Sequence, residues 1–376
     1  MLIELYIFSF VIVAYGTFTT LALIGIGKLK RHIPIYKEKS SLFISIIISA
    51  RNEEKNIERC LDQICKQTYS QNLFELILID DASEDHTFEI AKNYLEQSKL
   101  HYQLIRQPEH CGKKYNIAQG ISLAKGSVII TSDADVVFSF STRLTVIANY
   151  FNLYSPNMLV MPVDFESDKK LISAFQIVEN IALTAVTAGY TGIQKPFMCN
   201  GANLAFKKNA YMQVNGYDSH AHMSSGEDVF LMEDMKKINP SAIHYFFSRE
   251  LIVKTIPQTN ITSLFSQRLR WASKTKYNSS TLNRFSALIV LLSNLILFAL
   301  FVAILKKSFI IPYLSIFAVA KFVFDFLLLF LASDFLGRIK YIWWLPLFEC
   351  IYWIYAFSIG AASFFIKPTW KGKKIN

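Results

Sequence analysis

The feature that most constrains this chain is where its apolar residues fall. Leu2 to Gly27 carries one charge, Glu4, and is long enough to cross a bilayer. Three more apolar stretches come late, at about 285–305, 309–331 and 341–366. Between them, positions 40–284 read as a water-soluble segment, ample for one large core. A secretory leader would be shorter and would carry its basic residues ahead of the apolar run; here Lys28, Lys30 and Arg31 follow it. The expectation is a membrane anchor with a cytoplasmic carboxyl end. The predicted organisation is a transmembrane helix over 1–27, a linker over 28–40, a cytoplasmic α/β domain over 41–259, interfacial amphipathic helices over 260–284, about three transmembrane or re-entrant helices over 285–366 and a basic tail over 367–376. Lys321 and Asp325 lie four apart inside an apolar run, so they can pair on one helix face. Such a pair either lines a polar path or packs helices together.

The net charge of +10 raises the question of nucleic acid. The basic residues cluster beside the apolar segments, at Lys28 to Lys39, Arg268 to Arg284 and Lys367 to Lys374. That placement fits anionic headgroups or pyrophosphate better than a nucleic-acid face. The five cysteines, Cys60, Cys65, Cys111, Cys199 and Cys350, have no metal-type spacing, and their odd number argues against a disulfide framework.

Within the middle segment the rhythm is strand, helix, strand. Leu42 to Ile48 is a β-branched run of the kind found in strands buried on both faces, hence in a parallel sheet. A helix is expected through Ile57, Leu61 and Ile64, a strand over Phe74 to Ile79, a helix over about 86–97 and a strand near Tyr102 to Arg106. Gly112 then turns the chain into a helix reaching about Ala124, and Val128 to Ser132 reads as a strand. This is a doubly wound α/β pattern, in which ligands sit at the carboxyl ends of the strands. Ala50 to Glu53, Asp80 to Asp85 and Asp133 to Asp135 all fall there. Further on, a mostly apolar helix is expected from about Lys169 to Ala188, and a turn at Cys199 to Ala202 enters a strand. A helix opens at Gly226-Glu227-Asp228 with acids in its first turn, and a basic amphipathic helix covers Ser266 to Lys276.

Asp133 and Asp135 stand at i and i+2 on an extended chain, so both carboxylates can face one ligand. Paired carboxylates suit a hard divalent cation that also holds phosphate oxygens. No Gly-x-Gly-x-x-Gly follows a strand and no P-loop is present, so neither a Rossmann dinucleotide site nor a P-loop nucleotide site is indicated. His110, His220 and His222 border these motifs and read as surface or structural residues.

Seven motifs occur in order: Ala50-Arg51-Asn52-Glu53, Asp80-Asp81-Ala82-Ser83-Glu84-Asp85-His86-Thr87, Gly112-Lys113, Asp133-Ala134-Asp135, Asn200-Gly201-Ala202-Asn203, Gly226-Glu227-Asp228 and Gln267-Arg268-Leu269-Arg270-Trp271. In this order they resemble the inverting, GT-A-fold glycosyltransferases of family 2, in particular the membrane synthases related to cellulose, hyaluronan and poly-N-acetylglucosamine synthases. The resemblance implies a GT-A doubly wound, mixed but mostly parallel sheet flanked by transmembrane helices. It implies that Ala50, Glu53 and Asp81 contact the nucleoside, with Asp81 on the base, and that Lys113 and Asp133 lie at the nucleotide. Asp135, with Asp133, would bind the Mg²⁺ or Mn²⁺ that holds the diphosphate. Asp228, with Glu227 beside it, would be the general base, and Gln267, Arg270 and Trp271 would border acceptor and diphosphate. The implied partners are a nucleotide sugar, UDP-linked by preference, a lipid-linked or glycan acceptor, and the membrane, with no nucleic acid; the implied location is a bacterial inner membrane. Transfer of one or a few sugars and processive polysaccharide synthesis both fit these motifs. From another class, a nucleotide-sensing membrane transporter or receptor without chemistry is the distant alternative.

Overall fold

The computed structural model describes residues 2–30, 40–217, 226–275, 280–366, 369–370 and 373–374. Most of the expected linker over 28–40, most of the basic tail over 367–376, and His220 and His222 lie outside the described residues. The chain forms two compact units. One comprises residues 29–166 and 194–256; the other comprises residues 1–28, 167–193 and 257–376.

The first unit is built on ten strands: Ile44–Ala50 (β1), Phe74–Asp80 (β2), Tyr102–Arg106 (β3), Val128–Asp133 (β4), Val137–Phe138 (β5), Met158–Val160 (β6), Val163–Phe165 (β7), Asn203–Lys207 (β8), Ile243–Tyr245 (β9) and Val253–Thr255 (β10). Seven of them make one sheet in the order β3-β2-β1-β4-β8-β6-β9. β1 runs parallel to both β2 and β4, and β2 parallel to β3, while β8 is antiparallel to β4 and β6. The result is a mixed, mostly parallel α/β sheet. β5, β10 and β7 form a second, three-stranded sheet.

The near-continuous apolar reading of β1 and β2 follows from cover on both faces. Ile44, Ile46 and Ile48 pack in one cluster with Ile57, Cys60, Leu61 and Ile64 of the helix Ile57–Cys65. Ile47 points to the opposite face, at Gly120 of the helix Lys113–Leu123. The one acid inside β2, Glu75, is buried and satisfied: it accepts from Ser45 Oγ at 2.6 Å and from the Lys125 amide at 2.6 Å. A buried carboxylate without such donors would cost several kcal/mol. The chain builds outward from β1 through β2 to β3, then returns to the other side of β1 as β4. That reversal between β1 and β4 is a topological switch point, where such sheets open a crevice at their carboxyl ends.

The second unit is helical. Among the described residues, five helices are long and apolar enough to cross a bilayer, over Glu4–Leu29, Leu171–Gly192, Thr281–Leu305, Ile311–Leu336 and Ile339–Ser363, which marks a membrane protein. The sequence reading placed the second of these inside the soluble domain. Its polar residues obscured its character, and the structure shows why they are there. Gln176 exchanges hydrogen bonds with the backbone of Gln258, and Glu179 pairs with Arg268 of the helix Ile261–Thr275 and accepts from Tyr355 Oη at 3.0 Å. Ala22 and Gly25 meet Gly189 and Gly192 so closely that a Cβ on Gly189 would lie 2.3 Å from the Ala22 carbonyl oxygen, a small-residue crossing typical of helices in lipid. Sheet connectivity restricts this helix further. Residues before it, in β4, pair with residues after it, in β8, so the helix is an insertion between two neighbouring strands of the sheet.

Lys321 and Asp325 do pair on one face, at 2.7 Å. Lys321 also donates to Glu349 at 2.6 Å, and Tyr15 Oη donates to Asp325 Oδ1. Lys321 is 2% exposed. The group ties the helices Leu2–Lys30, Ile311–Leu336 and Leu345–Phe365 together.

Candidate active site

At the carboxyl ends of β1 and β2 the chain makes two loops that close on each other. Arg51 donates to the carbonyls of Asp81 and Ala82 at 2.7 and 2.9 Å and to Glu84 at 2.9 Å. The Asp81 amide donates to the Ala50 carbonyl, the Asn52 amide to Ser83 Oγ, the Glu53 amide to Thr87 Oγ1 and the Glu54 amide to Asp85. Asn52 and Ala82 sit at φ of 53° and 51°, the left-handed region that costs a residue with a Cβ on the order of 1 kcal/mol. The hydrogen bonds between the two loops hold them in that conformation. Ala50 and Glu53 are thereby fixed beside Asp81.

Asp81 is 1% exposed and its carboxylate is fully engaged. Its Oδ2 lies 2.6 Å from His110 Nδ1, and both oxygens accept from the loop after β3, the Cys111 amide at 2.8 Å and the Gly112 amide at 3.1 Å. Sequence reasoning set His110 aside. The signal available was its position two residues ahead of Gly112, whose φ of 92° lets the loop fold back over the strand ends.

Lys113 opens the next helix and binds two acids from different parts of the chain: Asp133 Oδ1 at 2.5 Å and Glu227 Oε1 at 3.8 Å. Burial alone would lower the lysine, but Asp133, Glu227 and Asp228 together hold it well above its ordinary range, so it is a fixed cation. Asp135 is pushed up to about 6 from 3.8, first by burial and then by Asp133 and Glu53; a hydrogen bond from Thr255 Oγ1 at 3.0 Å and Lys113 act the other way. Three carboxylates crowded around one point are poorly compensated by one lysine. Among the described residues no group of three or more His, Cys, Asp or Glu is arranged as a cage for a metal ion. The donor set nonetheless fits a hard divalent cation: two carboxylates one residue apart leave positions for phosphate oxygens, the common arrangement for Mg²⁺, and the repulsion raising Asp135 is what a cation there would relieve.

Asp228 lies in the first turn of the helix Glu227–Ile238. Its Oδ2 accepts from the Gly201 amide at 2.7 Å and its Oδ1 from the Val229 amide at 2.9 Å. The Asn200 to Asn203 turn thus meets the helix start at this carboxylate. Ala50, Glu53, Asp81, Lys113, Asp133, Asp135, Glu227 and Asp228 all belong to this unit. Gln267, Arg270 and Trp271 belong to the helical unit, half-buried on the helix Ile261–Thr275. There the Trp271 ring is covered by the Arg268 guanidinium at 4.2 Å, so one of its faces is taken by protein.

A carboxylate-lined crevice at the switch point of a mostly parallel sheet is the GT-A arrangement, and the fold is shared with a solved mannosyltransferase, PcManGT from Pyrobaculum calidifontis in complex with GDP-Man and Mn²⁺, at a TM-score of 0.58 and 14% identity, covering 91% of this chain and 98% of that one. Residues 45–212 match the model of Glycosyl transferase family 2. It is 26% identical over 256 residues to the probable glycosyltransferase YdaM of Bacillus subtilis (strain 168), covering 66% of this chain and 59% of that protein. It is 28% identical over 115 residues to the dolichyl-phosphate beta-glucosyltransferase ALG5A of Trichomonas vaginalis, covering 29% of this chain and 35% of that one. The chain spans between 30% and 59% of the length of these and the other first curated relatives it matches.

Proposed function

We propose that this chain is a membrane-bound inverting glycosyltransferase, moving a sugar from a nucleoside diphosphate sugar, UDP-linked by preference, to a lipid-linked or glycan acceptor of a cell envelope. The catalytic unit then faces the cytoplasm of a bacterial inner membrane. The observation that carries this reading is the placement of three chemistries at one sheet switch point: a loop-held acid at Asp81, a cation-type acid pair with a fixed lysine at Asp133, Asp135 and Lys113, and a separate carboxylate at Asp228.

In this reading Ala50, Glu53 and Asp81 hold the nucleoside, and a base that reaches Asp81 exchanges with one of the donors now on it. Asp135 and Asp133 hold a divalent cation, Mg²⁺ or Mn²⁺, which supplies charge stabilisation to the leaving diphosphate. Lys113 adds a positive charge that needs no rearrangement as the leaving group develops its own. Asp228 takes the proton of the acceptor hydroxyl as it attacks from the face opposite the diphosphate, and one displacement inverts the anomeric centre. Glu227 keeps Lys113 in place. Gln267, Arg270 and Trp271 enter the proposal as acceptor-bordering residues through the motif resemblance. A lipid-phosphate acceptor draws support from the dolichyl-phosphate relative, and one or a few transfers per acceptor is the form we favour over processive synthesis.

The test is donor consumption by detergent-purified protein across UDP-, GDP- and dTDP-sugars with Mg²⁺ or Mn²⁺, beside Asp228→Asn. Loss of a general base typically removes about 10²–10⁴-fold of rate. Consumption of one donor by the wild type and not by the variant upholds the proposal, and product length separates limited transfer from polymerisation. A variant as active as the wild type would sink the role of Asp228, and failure of every nucleotide to bind would sink the site as a whole.

A further inference from the structure

The largest fully buried side chain of the sheet unit is a charge. Arg143, at the start of the helix Arg143–Tyr154, is 0% exposed. Among the described residues it has no carboxylate partner; its guanidinium lies over the Phe138 ring at 4.3 Å, its Nη2 donates to Asn203 Oδ1 at 2.6 Å, and its Nε and Nη1 have no hydrogen-bond acceptor. A buried cation so poorly compensated is costly, and an apolar side chain of the same size would serve packing as well or better. Its one polar partner therefore indicates what it does.

Asn203 is itself 0% exposed, and its amide donates to the carbonyls of Pro162 at 2.7 Å and Leu251 at 2.8 Å. With Arg143 on its oxygen, every strong bonding position of that side chain is used. Asn203 ends the turn that begins at Asn200: its own amide donates to the Asn200 carbonyl, and the Ala202 amide donates to Asn200 Oδ1, both at 3.0 Å. Thr131 Oγ1 of β4 holds the Gly201 carbonyl at 3.3 Å. What this turn presents outward is the Gly201 amide, on Asp228 Oδ2. A Cβ at Gly201 would stand 3.2 Å from Asp228 Cβ and 3.3 Å from Oδ2, so a larger residue there would press on that carboxylate.

We propose that Arg143 and Asn203 are positioning residues that lock the Gly201 amide onto the Asp228 carboxylate, fixing the oxygen that receives the acceptor proton. The lock rests on the reading of Asp228 as the base, but its geometry can be tested without turnover. A displacement of about 1 Å in such a group costs on the order of 10²-fold in rate, which gives a buried, otherwise unrewarded arginine a use there.

Hydrogen exchange on the full-length, detergent-purified chain reads the lock directly, through the peptides covering residues 197–206. Asp228→Ala, which removes the acceptor, sets the exchange rate of a released Gly201 amide. Arg143→Met is expected to raise exchange in this segment at least tenfold while β1 and β2 stay as protected as in the wild type. Arg143→Gln, which keeps a donor for Asn203 without the charge, is expected to restore most of the protection. Wild-type protection in Arg143→Met would overturn the proposal, as would equal loosening of β1 and β2, which would make Arg143 a general core residue, or equal effects of Met and Gln. Should neither variant fold, Gly201→Ala decides: at least tenfold lower kcat on the donor identified above, with UDP binding in the presence of Mn²⁺ unchanged, supports the lock, and wild-type kcat removes it. If no donor is consumed at all, the exchange measurement still stands, so failure of the lock and failure of the enzymatic reading remain distinguishable.

Discussion

The two units treat charge in opposite ways. In the helical unit the charges that are deeply buried are matched: Lys321 has Asp325 and Glu349 within 2.7 Å, and Arg268 has Glu179. In the sheet unit three of the acids near the strand ends are half-buried and mismatched. Glu53, Asp133 and Asp135 crowd one point with Lys113 as the nearby cation, and the repulsion shows in the raised Asp135. Closed, neutralised groups hold helices together. Open groups of one sign wait for something of the other sign. The same residue types thus carry architecture in one place and chemistry in the other, and removing a charge should have opposite consequences in the two.

The largest effect is expected at Lys321. Lys321→Leu leaves two carboxylates facing each other in an apolar setting, and breaking such a buried group costs about 3–5 kcal/mol. Thermal unfolding in detergent should show a large fall in midpoint. Replacing Lys321, Asp325 and Glu349 together by leucine should recover most of it, because desolvation of the ions disappears with their attraction. If the triple variant keeps its stability but stops forming product, the group serves a polar path after all and the contrast between the units fails. A smaller loss, about 1.5–2 kcal/mol, is expected for Tyr355→Phe, which removes one hydrogen bond from an ionised Glu179 that still has Arg268. A loss as large as that of Lys321→Leu would mean that Arg268 alone does not neutralise Glu179.

Much of this was legible in the sequence, for physical reasons. β1, β2 and β4 are short apolar runs, the last two ending in acids, and parallel strands covered on both faces admit little else; their observed limits fall within two residues of the expected ones. Asp133 and Asp135 were visible because a period of two puts both on one side. Other parts were hidden. The β6 and β9 strands are three residues each, too short for any periodicity to declare itself. The helix Leu171–Gly192 carries Gln176, Glu179 and Asn180, and a linear pattern does not show how far these polar residues are enclosed. Arg143 reads as an ordinary charge at a helix start, and nothing in a linear pattern shows that it is wholly enclosed. His110 was passed over because its partner, Asp81, lies 29 residues earlier.

The smallest and most discriminating effect belongs to Asp135→Asn, because here the predicted sign reverses. Asp135 has a folded value of about 6 against 3.8. The folded state therefore holds this proton more tightly than the unfolded chain, and stability from this group falls as pH rises from about 4 to 6. Above pH 6 the ionised carboxylate opposes folding by at most about 3 kcal/mol, the equivalent of two pKa units. Exposure and the bond from Thr255 reduce what substitution recovers to about 1 kcal/mol. In metal-free buffer at pH 7.5, Asp135→Asn should thus unfold at a higher temperature than the wild type, with the gain shrinking as pH falls through 6. Adding Mn²⁺ with UDP should raise the wild-type midpoint and leave the variant nearly unmoved, since binding to the folded state alone is what stabilises. Removing a charge would then strengthen the sheet unit and weaken the helical one. A variant less stable than the wild type at pH 7.5 would mean that Asp135 is compensated in the same closed manner as Lys321, and the acid pair would lose its standing as a site held ready for a cation.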